Sequence, residues 1–100
     1  MRIEILRSVR DDLAAGRRFY KTQAQGIGDD FLDSLFSVIE SLLINAGAHS
    51  IHFGKYLRLL SRRFPFADYY RVDSRIIRIY AVVDCRRSPN WHKKILSPTS

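Results

Sequence analysis

Phe66-Ala67-Asp68-Tyr69-Tyr70-Arg71-Val72, then Asp73-Ser74, then Arg75-Ile76-Ile77-Arg78-Ile79-Tyr80-Ala81-Val82-Val83-Asp84: this run decides the fold. Side chains alternate between the two faces of a strand, and both halves alternate apolar with polar or aromatic residues. Asp73-Ser74 supplies a turn between them. An even-length hairpin loop puts Phe66, Tyr70 and Val72 on the same face as Ile77, Ile79, Ala81 and Val83, which predicts the core face. The outward face then carries Tyr69, Arg71, Arg78 and Tyr80.

Working outward, Tyr56-Leu57-Arg58-Leu59-Leu60 reads as a preceding strand, with Arg58 beside the outward set. Arg62-Arg63-Phe64-Pro65 interrupts it, because proline cannot donate to a ladder and restricts the residue before it. Residues 48–55 read as a loop. Upstream the period changes to helical. Phe31, Leu35, Val38 and Leu42, with Leu32, Ile39 and Leu43, give a broad apolar stripe that predicts a helix from Asp29 to Ala46, stopped by Gly47. Gly26-Ile27-Gly28 breaks it from an earlier helix that runs to about Gln25. For that helix Ser8 is the expected N-cap, with Asp11 and Asp12 in the first turn. Arg2-Ile3-Glu4-Ile5-Leu6 reads as a first strand, and Asn90 to Leu96 as a short last helix. The expectation is one α+β domain over residues 1–100. It has an N-terminal strand, an antiparallel two-helix hairpin, a three-stranded antiparallel sheet and a short C-terminal helix.

Charge is distributed unevenly. The net charge is +7. Residues 1–54 hold six Lys/Arg against seven Asp/Glu, whereas residues 55–100 hold eleven against three (Asp68, Asp73 and Asp84). All the excess lies in the strand-forming half, which points to an anionic partner such as nucleic acid or an acidic protein segment. The basic residues sit in strand-like rather than amphipathic helical sequence, which speaks against a membrane surface. No secretory signal is visible, and the longest apolar segment, Leu35 to Ala48, is interrupted by Glu40 and Asn45. The expected location is the cytoplasm, and the single cysteine, Cys85, suits a reducing compartment.

Specific chemistry is sparse. His49 and His52 stand three apart without a cysteine or acidic cluster, so neither a metal nor any other cofactor is expected. Gly26-Ile27-Gly28 follows no strand and is no phosphate loop. Cys85 lies beside Arg86 and Arg87, which would lower its thiol pKa if exposed, yet no histidine is evidently paired with it. The arginines are the stronger signal. Arg58, Arg62, Arg63, Arg71, Arg78, Arg86 and Arg87 form an almost lysine-free set, and arginine offers a planar fork for phosphate or carboxylate. Interleaved with Tyr69, Tyr80 and Trp91, they make a candidate target-binding surface rather than merely a solvated face. A metal-independent ribonuclease would also need an acid and a base, for which His92 and the tyrosines are available.

Arg62-Arg63-Phe64-Pro65-Phe66, Tyr69-Tyr70-Arg71-Val72 and Ala81-Val82-Val83-Asp84-Cys85-Arg86-Arg87-Ser88-Pro89-Asn90-Trp91 together resemble the toxins of the RelE/ParE superfamily. Asp12-Leu13 and Phe19-Tyr20 resemble that family's first helix, so the likeness spans nearly the whole chain. The resemblance implies the toxin of a type II toxin–antitoxin pair (a plasmid-stabilisation protein), neutralised by a cognate antitoxin in a hetero-oligomer. ParE-like members bind and inhibit DNA gyrase; RelE-like members cut messenger RNA on the ribosome. The wording around Pro65 and Pro89 is closer to the ParE branch. Leu60 and Ala67 fall where RelE-type enzymes carry basic residues, and Asp84 stands where many members have histidine. A RelE-type activity would fall to Arg58, Arg86, Trp91 and His92. A third alternative is a degenerate toxin that retains only antitoxin binding.

Overall fold

The computed structural model describes residues 1–96. The chain runs β1 (Arg2–Ile5), α1 (Arg7–Lys21), α2 (Ile27–Glu40), α3 (Leu42–Asn45), β2 (Ile51–His52), β3 (Tyr56–Leu60), β4 (Phe66–Asp73), β5 (Ile76–Asp84) and α4 (Pro89–Leu96). This is an α+β arrangement around a five-stranded mixed sheet of order β1-β5-β4-β3-β2. The expected antiparallel strands β3, β4 and β5 lie at its centre. Two strands extend them: β1 adds in parallel to β5, Ile3 beside Ile77 and Ile5 beside Ile79. The two-residue β2 adds to β3 from within the segment expected to be a loop.

The helix boundaries differ from expectation for local reasons. α1 starts at Arg7, so Leu6 rather than Ser8 is the N-cap, and it makes no side-chain cap. Asp11 and Asp12 therefore lie beyond the first turn. Gly26, at φ 82°, precedes α2, and Gly28 lies inside that helix rather than in a break. A methyl group on Gly28 would come within 2.7 Å of the Arg17 carbonyl oxygen, and one on Gly16 within 2.6 Å of the Phe31 ring. These glycines let the two helices approach closely. Ser41 ends α2 ahead of Ala46; its hydroxyl donates to the Val38 carbonyl at 2.5 Å, and a short α3 follows.

The inner face of the sheet meets α1 and α2. Val9 and Leu13 of α1 and Phe31, Leu35 and Ile39 of α2 pack with Tyr70, Ile77, Ile79 and Val82. Phe31, Phe64, Phe66 and Tyr20 form an aromatic cluster at one end, with ring centroids 4.9–5.3 Å apart. Each buried aromatic removes a large apolar area from water, which is the main force holding helices to sheet.

The assignment of faces along β5 changes half-way. Tyr69 pairs with Ala81 but Tyr70 pairs with Ile79, so Tyr80 is an extra residue in β5. Such a bulge shifts the alternation by one position. Ile77 and Ile79 face the helices as expected. Ala81 and Val83, expected beside them, belong instead to the cluster on the opposite face, and Val82 takes the inner place.

The outer face has its own cover. Leu96 of α4 packs with Tyr56, Ala67, Tyr69, Ala81 and Val83. The Tyr56 hydroxyl donates to the Leu96 carbonyl at 3.2 Å. The outer side is thus not an open sheet surface at its centre. Among the described residues no helix is long and apolar enough to cross a membrane.

Candidate functional site

The centre of the outer face is a buried polar pair under α4. The ring nitrogen Nδ1 of His92 lies 2.7 Å from the Tyr69 hydroxyl, and Nε2 lies 3.0 Å from the Asp84 carbonyl oxygen. A carbonyl can only accept, so Nε2 carries the hydrogen and donates; in the neutral ring Nδ1 then accepts from the Tyr69 hydroxyl. The two rings meet edge to face, 5.6 Å apart. His92 is only 6% exposed and Tyr69 1%. This pair was not legible as such in the sequence, because 23 positions separate its members and only the docking of α4 joins them.

Arg58 stands opposite Tyr69 in the register. Burial pushes the Tyr69 phenol above its ordinary pKa, while Arg58 pulls it down. Phe53 lies against the Tyr69 ring at 5.8 Å, and Lys55 sits over Tyr56 at 5.4 Å. Cys85 joins this neighbourhood electrostatically. Burial raises its thiol pKa, and the opposing cation is Arg58 rather than Arg86 or Arg87, as the sequence had suggested. A thiol held in that direction is a poor nucleophile.

The arginine set expected on one surface divides into three. Arg58, Arg71 and Arg78 lie on the outer face, Arg71 paired with Arg78 in register. Arg78 is held by Glu4 at 2.9 Å and Arg71 approaches Asp73 at 3.7 Å, so both are partly neutralised. Tyr80, at the bulge, packs edge-on to Tyr56 at 5.4 Å.

Arg86, Arg87 and Trp91 occupy a second place. They line a cavity of about 460 Å³ between α1, the end of β5 and α4, with Asp12, Phe19 and Tyr20 on its far side. Arg86 forks onto the Asp84 carboxylate, its Nη2 at 2.6 Å, and this holds Asp84 below the usual carboxylate range. Arg87 stacks over the Trp91 ring at 4.9 Å, and Trp91 is 40% exposed.

Arg62 and Arg63 form the third group. They line the groove between α2 and β3, and Arg63 is hydrogen-bonded to Asp30 of α2. The face that carries Tyr69 is therefore not where they act.

The two apolar positions at Leu60 and Ala67 are direct cross-strand partners on the outer face. Ala67 is fully buried and Leu60 is 51% exposed. Only Leu60 therefore presents an apolar side chain to solvent, while Ala67 lies covered by Leu96.

The loop histidines serve different partners. His49 Nδ1 hydrogen-bonds the Tyr70 hydroxyl, which also accepts from the Gly47 amide at 3.0 Å, and His52 meets Ser50 at 3.0 Å. Among the described residues no three His, Cys, Asp or Glu side chains are grouped to hold a metal. Compared with known proteins, the chain matches no family model and no curated sequence.

Proposed function

We propose that this protein is a toxin of the RelE/ParE kind that acts by binding its target, DNA gyrase, and is neutralised by a cognate antitoxin. The observation that carries the choice of binding over cutting is the state of the acid–base groups. Both ring nitrogens of His92 are engaged and the ring is buried. A general acid or base needs a nitrogen within reach of substrate.

Further features support this reading. Arg86 is committed to Asp84, and Leu60 and Ala67 are apolar where a cleaving relative would place cations. The order of strand, helix pair, antiparallel strands and short covering helix suits the RelE/ParE resemblance. The half-buried Arg58, Arg71 and Arg78 and the stacked Arg87–Trp91 pair give an anionic partner points of attachment.

One observation favours messenger-RNA cleavage as the second reading: Arg58 and the Tyr69–His92 pair stand together, a cation beside a proton relay. Purified protein assayed for inhibition of gyrase supercoiling and for cleavage of ribosome-bound message separates the two. The expected result is loss of supercoiling without cleavage. Cleavage that Arg86→Ala abolishes overturns the proposal.

A further inference from the structure

Asp68 lies on the inner side of β4, back to back with Tyr69, and is 0% exposed. It stands between Leu59 of β3 and Val82 of β5 in the register, both of which pack against the helix-side core. Among the described residues neither carboxylate oxygen meets a hydrogen-bond partner. The Ser61 hydroxyl is buried and partnerless too. Ser61 donates its amide to the Phe66 carbonyl, which places it opposite Phe66 and diagonal to Asp68 on the same face. It also lines the groove between α2 and β3.

We propose that Asp68 is a buried proton switch: the folded chain holds it as a neutral carboxylic acid, and its ionisation loosens the pairing of β3 with β4. An ionised carboxylate without partners in an apolar layer is too costly to persist, so the proton stays or the layer opens. Among the described residues, the elements packed around Asp68 bring no cation to its face of the sheet. β3 offers Leu59 and Ser61, β5 offers Val82, and α2 offers its apolar ridge of Leu35 and Ile39. Of the charged groups on these elements, Arg58 of β3 and Arg78 of β5 belong to the opposite face of the sheet, Asp29 is bound to Arg17, Asp30 to Arg63 and Asp84 to Arg86, and Glu40 is exposed, while Asp33 and the neighbouring Arg62 sit at the groove rim. Cys85, after β5, carries a thiol that Asp68 helps to raise. Burial alone pushes the Asp68 carboxyl up from 3.8 to about 8.

The sign follows from proton counting. Below pH 3.8 folded and unfolded chains both hold the proton. Between there and about 8 only the folded chain does, so the folding equilibrium constant falls about tenfold per pH unit on this account. Above about 8 the folded chain ionises as well, and the loss gives way to local opening.

The test compares the pH dependence of denaturant unfolding for wild type and Asp68→Asn. The expected result is that the wild type loses stability relative to the variant as pH rises from 4 to 8. Parallel profiles overturn the proposal. Direct titration of the Asp68 carboxyl carbon by NMR in the folded wild type keeps the test decisive even where the variant fails to fold. A midpoint near 8 supports the switch and one near 3.8 overturns it. Amide exchange at Leu59 and Ser61, after correction for intrinsic base catalysis, should accelerate above pH 8; unchanged protection there would overturn the opening step.

Discussion

The two faces of the sheet are covered by different means. The inner face is closed by two helices through bulk: Leu13, Phe31, Leu35 and Ile39 contribute area and, apart from Tyr70, few hydrogen bonds. The outer face is closed at its centre by the eight-residue α4, through Leu96 and a few directed polar contacts: Tyr56 to the Leu96 carbonyl and Tyr69 to His92. A face held by area resists the loss of any one contact least when a large ring is removed. A face held by a few directed bonds depends on each. The outer cover thus rests on fewer contacts than the inner one.

Phe31→Ala should be the most damaging test of this contrast, because its ring contacts Tyr20, Phe64 and Phe66 and fills the space that Gly16 leaves. The expected loss is about 3–5 kcal/mol in denaturant unfolding. A loss below about 1 kcal/mol would show that the helix pair does not depend on this cluster. Tyr69→Phe removes one hydroxyl and leaves the His92 Nδ1 buried without its donor. An unsatisfied buried group of this kind costs about 1–3 kcal/mol. The signature should be faster amide exchange in α4 with the inner helices unchanged; uniform acceleration would show that the two covers are one cooperative unit.

Asp84→Asn should have the smallest effect and a specific pH profile. Arg86 holds the Asp84 carboxyl below its ordinary 3.8, so the folded chain favours the ionised form. That contribution is complete above the unfolded value and is lost as pH falls through the lower folded one. The stability gap between wild type and variant should therefore be present at neutral pH and shrink in acid below 3.8. A gap that is constant with pH would mean that Asp84 matters through its backbone turn rather than its charge.

Much of this architecture was legible in the chain. The four-residue spacing of Phe31, Leu35 and Ile39 marked the buried stripe of α2, and the alternation from Phe66 to Val72 marked both faces of β4 correctly. The alternation in β5 failed after Tyr80. A bulge adds one residue without disturbing the composition, so Val82 and Val83 look equally suited to the core. β2 was missed because two residues carry no period. The candidate site was half legible: Arg58, Tyr69 and Tyr80 were expected outward, but Arg62, Arg63, Arg86 and Arg87 share a residue type with them and not a location.

The sequence by itself determined the longer elements and the sign of the charge. Local spacing decides which side chains share a helix stripe or strand face, and the excess of arginine after Lys55 is a matter of composition. Tertiary structure alone decided that His92 sits on Tyr69, that Asp84 binds Arg86 above the cavity beside α1, and that Asp68 is sealed behind Leu59 and Val82. Each of these depends on the bulge in β5 or on the docking of α4. Those are choices of register and packing between segments distant in sequence, for which neighbouring residues carry no periodic signal.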